Sequence, residues 1–179
     1  LTSEVCSPRT ADGFARVERE VKSLVPHIDA FNATSNQGGV ETVSSLETAR
    51  LIQAMGGEPI LQICARDVDP ARFLDEAERA SAQGIRNILC LTGDWSSTRA
   101  RKQVSVSETH KRIFRMDSSQ QVFELRRLRQ RGESAFVPGR RPSLRHPYVG
   151  AVSNPYSSPL GVNLRRLAQK AACGAEFIQ

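Results

Sequence analysis

The sequence predicts an α/β protein of the (β/α)8 TIM-type barrel class, with about six of the eight βα units present in the 179 residues. Two observations carry this prediction. Short apolar runs typical of buried strands alternate with amphipathic stretches, each pair about as long as one βα module. Polar residues also follow successive strands, where the mouth of a parallel barrel forms. A doubly wound open sheet stays an alternative, although no G-x-G-x-x-G follows the first strand.

The elements follow one another in order along the chain. The predicted strands are residues 2–7, 28–34, 59–65, 86–92 and 148–154, with a sixth beginning at 175–179. The predicted helices are residues 14–25, 45–55, 70–83, 117–132 and 160–174. Ser44 or Ser45 can cap the second helix, Asp69 caps the third before a proline, and Asp117 or Ser118 caps the fourth. The segments 95–113 and 133–147 lack a period and are predicted to be irregular basic loops within one domain that spans 1–179.

Composition and charge narrow the class of partner. The formal charge is +6 and the pI about 9.6, which favours anionic partners such as phosphates or carboxylates. No apolar run reaches the length of a membrane helix, so a cytoplasmic protein without membrane contact is predicted. The four cysteines show no C-x-x-C pair and are predicted to be reduced thiols. The three histidines lie far apart, and no metal is predicted.

Several stretches resemble one family, methylenetetrahydrofolate reductase, the barrel flavoenzyme of one-carbon metabolism. The stretch "GIRNILCLTGD" (84–94) is the closest match and ends in the family's Gly-Asp pair. Four further stretches match in order and at compatible spacing: "SEVCSPRTADG", "DAFNATSNQGG", "PILQICARD" and "GAEFIQ". Any one motif is weak, but five in order indicate the family. The family's folate-binding glutamine would come two residues after Gln179.

The resemblance implies a reaction and its partners. Methylenetetrahydrofolate would be reduced to 5-methyltetrahydrofolate with NADH or NADPH through a bound flavin, as a step of methionine metabolism. The resemblance favours FAD, while FMN or a flavin-free protein stays open. A homo-oligomer or a partner subunit is also compatible with the sequence.

The resemblance also assigns site residues. Glu4 matches the catalytic acid that protonates the folate, and Asp94 matches the aspartate near the flavin and the pterin. A glycine at 93 would let a flat ring approach the backbone. The full set of cofactor-binding residues implied by the family is Thr34, Gln62, Gly93, Asp94, Asp117, Ser153, Asn154 and Lys170. Gln62 replaces a histidine that many members have.

Structural interpretations stand beside these assignments. Glu4 could face solvent or pair with Arg9, Asp94 could belong to a turn, and Asp117 is expected to cap a helix in any case. The arginine-rich segments could form a nucleic-acid patch, but few aromatics interleave them, which argues against nucleic acid. Two other functions stay open: a non-catalytic folate- or flavin-binding partner subunit, and a barrel methyltransferase acting on methyl-folate with a corrinoid protein.

Overall fold

A computed structural model of the chain describes residues 1–37, 40–93 and 116–179. These residues form one sheet of six parallel strands in sequence order, with one α-helix between each successive pair. The strands are β1 (Thr2–Val5), β2 (Ala30–Ala33), β3 (Pro59–Cys64), β4 (Asn87–Leu91), β5 (Tyr148–Ala151) and β6 (Phe177–Ile178). The helices are α1 (Phe14–Leu24), α2 (Ser45–Ala54), α3 (Pro70–Ala82), α4 (Ser118–Arg131) and α5 (Leu160–Cys173).

The sheet curls into part of a barrel. Six flat strands at the usual spacing of roughly 4.8 Å would place the first and last about 24 Å apart. Instead, the Gln179 side chain, directly after β6, donates a hydrogen bond to the Thr2 hydroxyl on β1 at 3.3 Å. The prediction of a partial TIM-type barrel is therefore confirmed.

The two faces of the sheet carry different residues. One register row consists of the apolar residues Val5, Ala33, Leu61, Ile88 and Val149, and all of them belong to the core shared with the helices. Because side chains alternate along a strand, the rows above and below face the concave interior. The core thus lies between sheet and helices, and the concave face carries polar as well as apolar residues.

The concave face contains two inward rows. The lower row consists of Glu4, Asn32, Ile60, Asn87 and Tyr148. The upper row consists of Gln62, Leu89, Gly150 and Phe177. The Phe177 ring covers Gly150, where a Cβ would lie 2.3 Å from the ring, and stacks on Tyr148 with centroids 5.1 Å apart.

Local sequence fixes where the helices begin. The Ser44 side chain accepts a hydrogen bond from the backbone N–H of Leu46, so Ser44 rather than Ser45 caps α2. Asp117 and Gln120 form a reciprocal capping box at the start of α4. The predicted helices are confirmed to within a few residues. The strands are shorter than predicted, because backbone pairing stops earlier than the apolar runs do.

The predicted loop 133–147 contains neither helix nor strand and is bound to the helices beneath it. The buried carboxylate of Glu124 on α4 accepts hydrogen bonds from Ser134 and from the backbone N–H of Ala135. Arg140 forms ion pairs with Asp75 and Glu78 on α3. These contacts explain how a segment without regular structure keeps a defined path. The other predicted loop, 95–113, lies outside the described residues.

Candidate active site at the carboxyl ends of the strands

A groove of about 650 Å³ lies at the carboxyl ends of the strands. It is bounded by the segments that follow β2 to β5 and by residues of α4 and α5. Parallel strands bring their carboxyl ends to one edge, so residues distant in sequence meet there. Six of the predicted site residues line this groove: Gln62, Gly93, Asp117, Ser153, Asn154 and Lys170.

Gln62 offers an unused amide to the groove. It lies on β3 between Leu61 and Ile63, whose side chains enter the helix-side core, so its own side chain faces the concave side. Gln62 is 7% exposed, and its side-chain amide has no hydrogen-bond partner among the described residues. Because the amide opens onto the groove, a bound ligand can replace water as its hydrogen-bond partner.

Gly93 is required by both backbone conformation and space. Its φ of +86° lies in the region that side chains disfavour, and an added Cβ would meet the Cys64 sulfur at 2.5 Å. The same Cβ would lie 2.9 Å from the Cβ of Arg66. The predicted glycine hinge is therefore held against β3 at this edge. Asp94, the residue that follows it, lies outside the described residues.

Lys170 on α5 is half-buried at the far side of the groove. Its ammonium group donates a hydrogen bond to the Val152 carbonyl and still has two hydrogens available. Burial lowers the pKa of Lys170, an effect that the negative Asp117 opposes and the positive Arg166 reinforces. Since Arg166 also borders the groove, two cations stand on this wall.

Asp117, Ser153 and Asn154 have structural duties as well as a place in the groove. Asp117 caps α4 through the backbone N–H of Gln120 at 2.9 Å. Ser153 donates its backbone N–H to the Gln179 carbonyl at 2.7 Å. The Asn154 side chain accepts from the backbone N–H of Tyr156 at 3.0 Å. The Ser153 bond joins the segments that follow β5 and β6, whereas the other two bonds fix the start of α4 and the turn after β5.

Thr34 and Glu4 do not line the groove. The Thr34 hydroxyl accepts a hydrogen bond from the backbone N–H of Ser7 at 3.2 Å and is almost fully buried. Glu4 is exposed on the concave face and makes no ion pair with Arg9 or any other described residue. Its carboxyl group is therefore available on the concave side of the sheet, below the groove.

Two cysteines contribute to the groove wall as protonated thiols. Burial raises the pKa of Cys64 to about 11, and burial raises the pKa of Cys90 still further. Neither thiol is therefore a reactive nucleophile near neutral pH. The four cysteines are free, in agreement with the predicted reduced thiols.

Several groove residues were not predicted from sequence. Arg66 donates to the Asn36 carbonyl at 3.1 Å and pairs with Asp67 at 3.0 Å. Asn36, in contrast, is one of the polar residues that the sequence places after the second strand, at the expected barrel mouth; it adopts a φ of +39° and its side chain accepts from the backbone N–H of Thr42 at 3.1 Å. Asn163 and Arg166 face the groove from α5. The polar residues that follow the strands could be recognised in the sequence as candidates for the site. Nothing in the sequence marked Asn163 and Arg166 on α5 as groove residues.

The fold and this groove define a partial (β/α)8 barrel protein with a candidate site at the carboxyl ends of its strands. The family profile of methylenetetrahydrofolate reductase matches residues 1–120, and the chain belongs to this family. The family assignment made from the sequence motifs is thus confirmed. None of the helices in the described ranges has the length and apolar character needed to span a membrane.

Comparison with solved structures supports the fold. The chain is similar to the crystal structure of 2,3-dimethylmalate lyase, a member of the PEP mutase/isocitrate lyase superfamily, with a TM-score of 0.55 and 14% sequence identity. The match covers 99% of this chain and 57% of the lyase chain, so this chain spans little more than half of that structure. At this identity the likeness concerns the fold alone. The curated proteins give no significant match.

Proposed function

We propose that the protein is an oxidoreductase that reduces 5,10-methylenetetrahydrofolate to 5-methyltetrahydrofolate with NAD(P)H and a bound flavin. The observation that carries the proposal is the groove at the carboxyl ends of the strands, in a chain of the methylenetetrahydrofolate reductase family. The same proposal includes a role in methionine biosynthesis and a cytoplasmic location. Either NADH or NADPH would serve as the hydride donor.

The groove residues fit a flavin nucleotide. Its volume of about 650 Å³ lies within the usual range for sites of organic ligands. Lys170 and Arg166 supply positive charge for phosphate oxygens, and Gln62 supplies an unused amide for the polar edge of a ring. When bound, the flavin would carry hydride from the nicotinamide to the folate. FAD is the favoured form, and FMN would use the same two cations.

The acid of the proposed reaction is Glu4. Opening the methylene bridge of the folate requires a proton on nitrogen, and Glu4 presents an unpaired carboxyl group on the concave face. Asp94 follows Gly93 directly in the chain, and its carboxylate would stabilise the cationic iminium that the opened bridge forms. A contact between Thr34, which directly follows β2, and the flavin ring rests on the family resemblance alone, because the Thr34 hydroxyl accepts from the Ser7 N–H outside the groove.

The substitution Glu4→Gln tests this assignment. It keeps the size of the side chain but removes its acidic proton. We expect folate reduction to fall by roughly 10²- to 10⁴-fold, the usual contribution of a general acid. Flavin reduction by NAD(P)H should remain within about two-fold, because no proton transfer to folate is involved. Rapid-mixing absorbance measurements separate the two half-reactions.

A matched control is Glu20→Gln, which changes a partly exposed carboxylate on α1 that forms an ion pair with Arg16 at 3.4 Å. This control should leave both half-reactions unchanged. Normal folate turnover by the Glu4→Gln protein would show that Glu4 is not the acid.

A further inference from the structure

Asn32 is a buried amide whose side-chain oxygen lacks a hydrogen-bond partner in the described part of the chain. It is 4% exposed on β2, and its Oδ1 makes no hydrogen bond within the described residues. Phe31 and Ala33 on either side enter the helix-side core, so Asn32 faces the concave interior. An orphaned buried acceptor is unfavourable by about 1–3 kcal/mol in proteins generally, so its presence calls for an explanation.

The neighbours of Asn32 in its register row restrict what could satisfy it. On β3 the neighbour is Ile60, which is buried, apolar and unable to donate. On β1 the neighbour is Glu4, the residue assigned above as the acid. Residues paired in register on adjacent parallel strands lie about 5 Å apart and project to the same face. The carboxyl group of Glu4 is therefore the side chain that can reach Asn32 within this row.

The chemistry of the two groups matches in one protonation state in particular. An ionised carboxylate only accepts hydrogen bonds, whereas a protonated carboxyl group has one O–H to donate. The Asn32 Oδ1 is an acceptor that lacks a donor. It therefore complements the protonated carboxyl group, which is the form that an acid must have before it transfers its proton.

We propose that Asn32 is a positioning residue that accepts a hydrogen bond from the protonated Glu4 carboxyl group and orients it toward the folate nitrogen. This inference rests on the proposed function, since it acts through the acid assigned there. After proton transfer the amide can rotate, so that its N–H₂ group donates to the carboxylate instead. Asn32 thus holds Glu4 in both states of a catalytic cycle.

The test uses Asn32→Leu in the protein expressed from its complete gene. Leucine has a similar volume but no polar atom. We expect kcat for folate reduction to fall about ten-fold, with KM for folate and the rate of flavin reduction by NAD(P)H within about two-fold. The urea midpoint should stay unchanged or rise, because the substitution removes an orphaned acceptor. A residue with a purely structural role would lower the urea midpoint and leave kcat in place.

Two further variants make the test decisive. Gln121→Leu changes another buried amide with an unpartnered oxygen, on the helix side of the sheet, and should leave kcat unchanged. In the Glu4→Asp background, where the carboxyl group is drawn back toward its strand, Asn32→Leu should cause little additional loss, because the two residues act as one unit. Fully additive losses would overturn the inference.

The outcomes separate the two proposals. If Glu4→Gln leaves folate reduction intact, the assignment of Glu4 as the acid is wrong. The role proposed for Asn32 is then wrong as well. If Glu4→Gln abolishes folate reduction while Asn32→Leu keeps full kcat, the acid stands and only the inference about Asn32 is overturned.

Discussion

At the residue scale, Gly93 is required both by its positive φ and by the close approach of neighbouring atoms, and a comparison with Gly56 separates the two effects. Gly93 and Gly56 have nearly equal φ angles, +86° and +84°, but only a Cβ at Gly93 would meet other atoms. We expect Gly56→Ala to lower the free energy of unfolding by about 1 kcal/mol through backbone strain alone. Gly93→Ala should lower it by roughly 2–4 kcal/mol, because Cys64 and Arg66 must also move. Urea unfolding of both variants measures the difference, and equal losses would contradict the contact argument.

Lys170 gives a residue-scale prediction about pH. Its pKa is lowered by burial, so its charge is lost at a lower pH than that of an ordinary lysine. Flavin affinity should therefore fall as pH rises, beginning below the usual lysine value of 10.5. Lys170→Met should weaken binding roughly ten- to hundred-fold at neutral pH and remove this alkaline dependence.

The matched control for Lys170 is Lys22→Met on α1, whose ammonium lies 3.9 Å from Glu18 on the exposed helix surface. Its flavin affinity and pH profile should equal those of the unchanged protein. Raising the pH has the opposite effect on folding stability from its effect on flavin binding. Because the folded state has the lower pKa, the unfavourable burial of the charge is greatest at neutral pH and is relieved as pH approaches 10.5. An alkaline rise in flavin affinity would contradict the assignment.

At the element scale, α5 differs from the other helices. It has no fully buried residue, and Leu160 and Leu164 are 57% and 56% exposed. By contrast, α3 buries five residues, among them Phe73 and Leu74. We expect amide hydrogens of α5 to exchange faster than those of α3 by at least about ten-fold, because few apolar contacts oppose local opening. Hydrogen-exchange mass spectrometry of the 179-residue chain would measure both helices, and equal protection would contradict the prediction.

Among the elements, the helices are determined mainly by local sequence, whereas the strand ends are not. The apolar periods and the caps at Ser44, Asp69 and Asp117 place the helices almost to the residue, because capping depends on neighbours in sequence. Strand ends were predicted less well, since pairing depends on residues from other strands.

The site was predicted less completely than the fold. Motifs identified Gln62 and Lys170, which both line the groove, but Arg66 and Arg166 reach it only through tertiary packing. The orphaned oxygen of Asn32 depends on which residues flank it in register, and one sequence does not specify that register.

At the scale of the whole molecule, the two faces of the curled parallel sheet carry residues with different roles. Apolar side chains on its convex side form the core with the helices, while the concave side carries Glu4, Asn32 and Gln62. The carboxyl-end groove brings Lys170 and Asp117 to the same rim. The side chains of Glu4 and Gln62 have no hydrogen-bond or ion-pair partner among the described residues, so they are available to the ligands proposed above.

The anaerobic absorption spectrum of the purified protein tests the proposed reductase reaction. We expect a flavin band that bleaches on addition of NADH or NADPH and returns on addition of methylenetetrahydrofolate. A bleached band that does not return would contradict the proposed folate reduction. A protein that shows no flavin band and does not reduce the folate would contradict the catalytic account and favour a non-catalytic binding subunit.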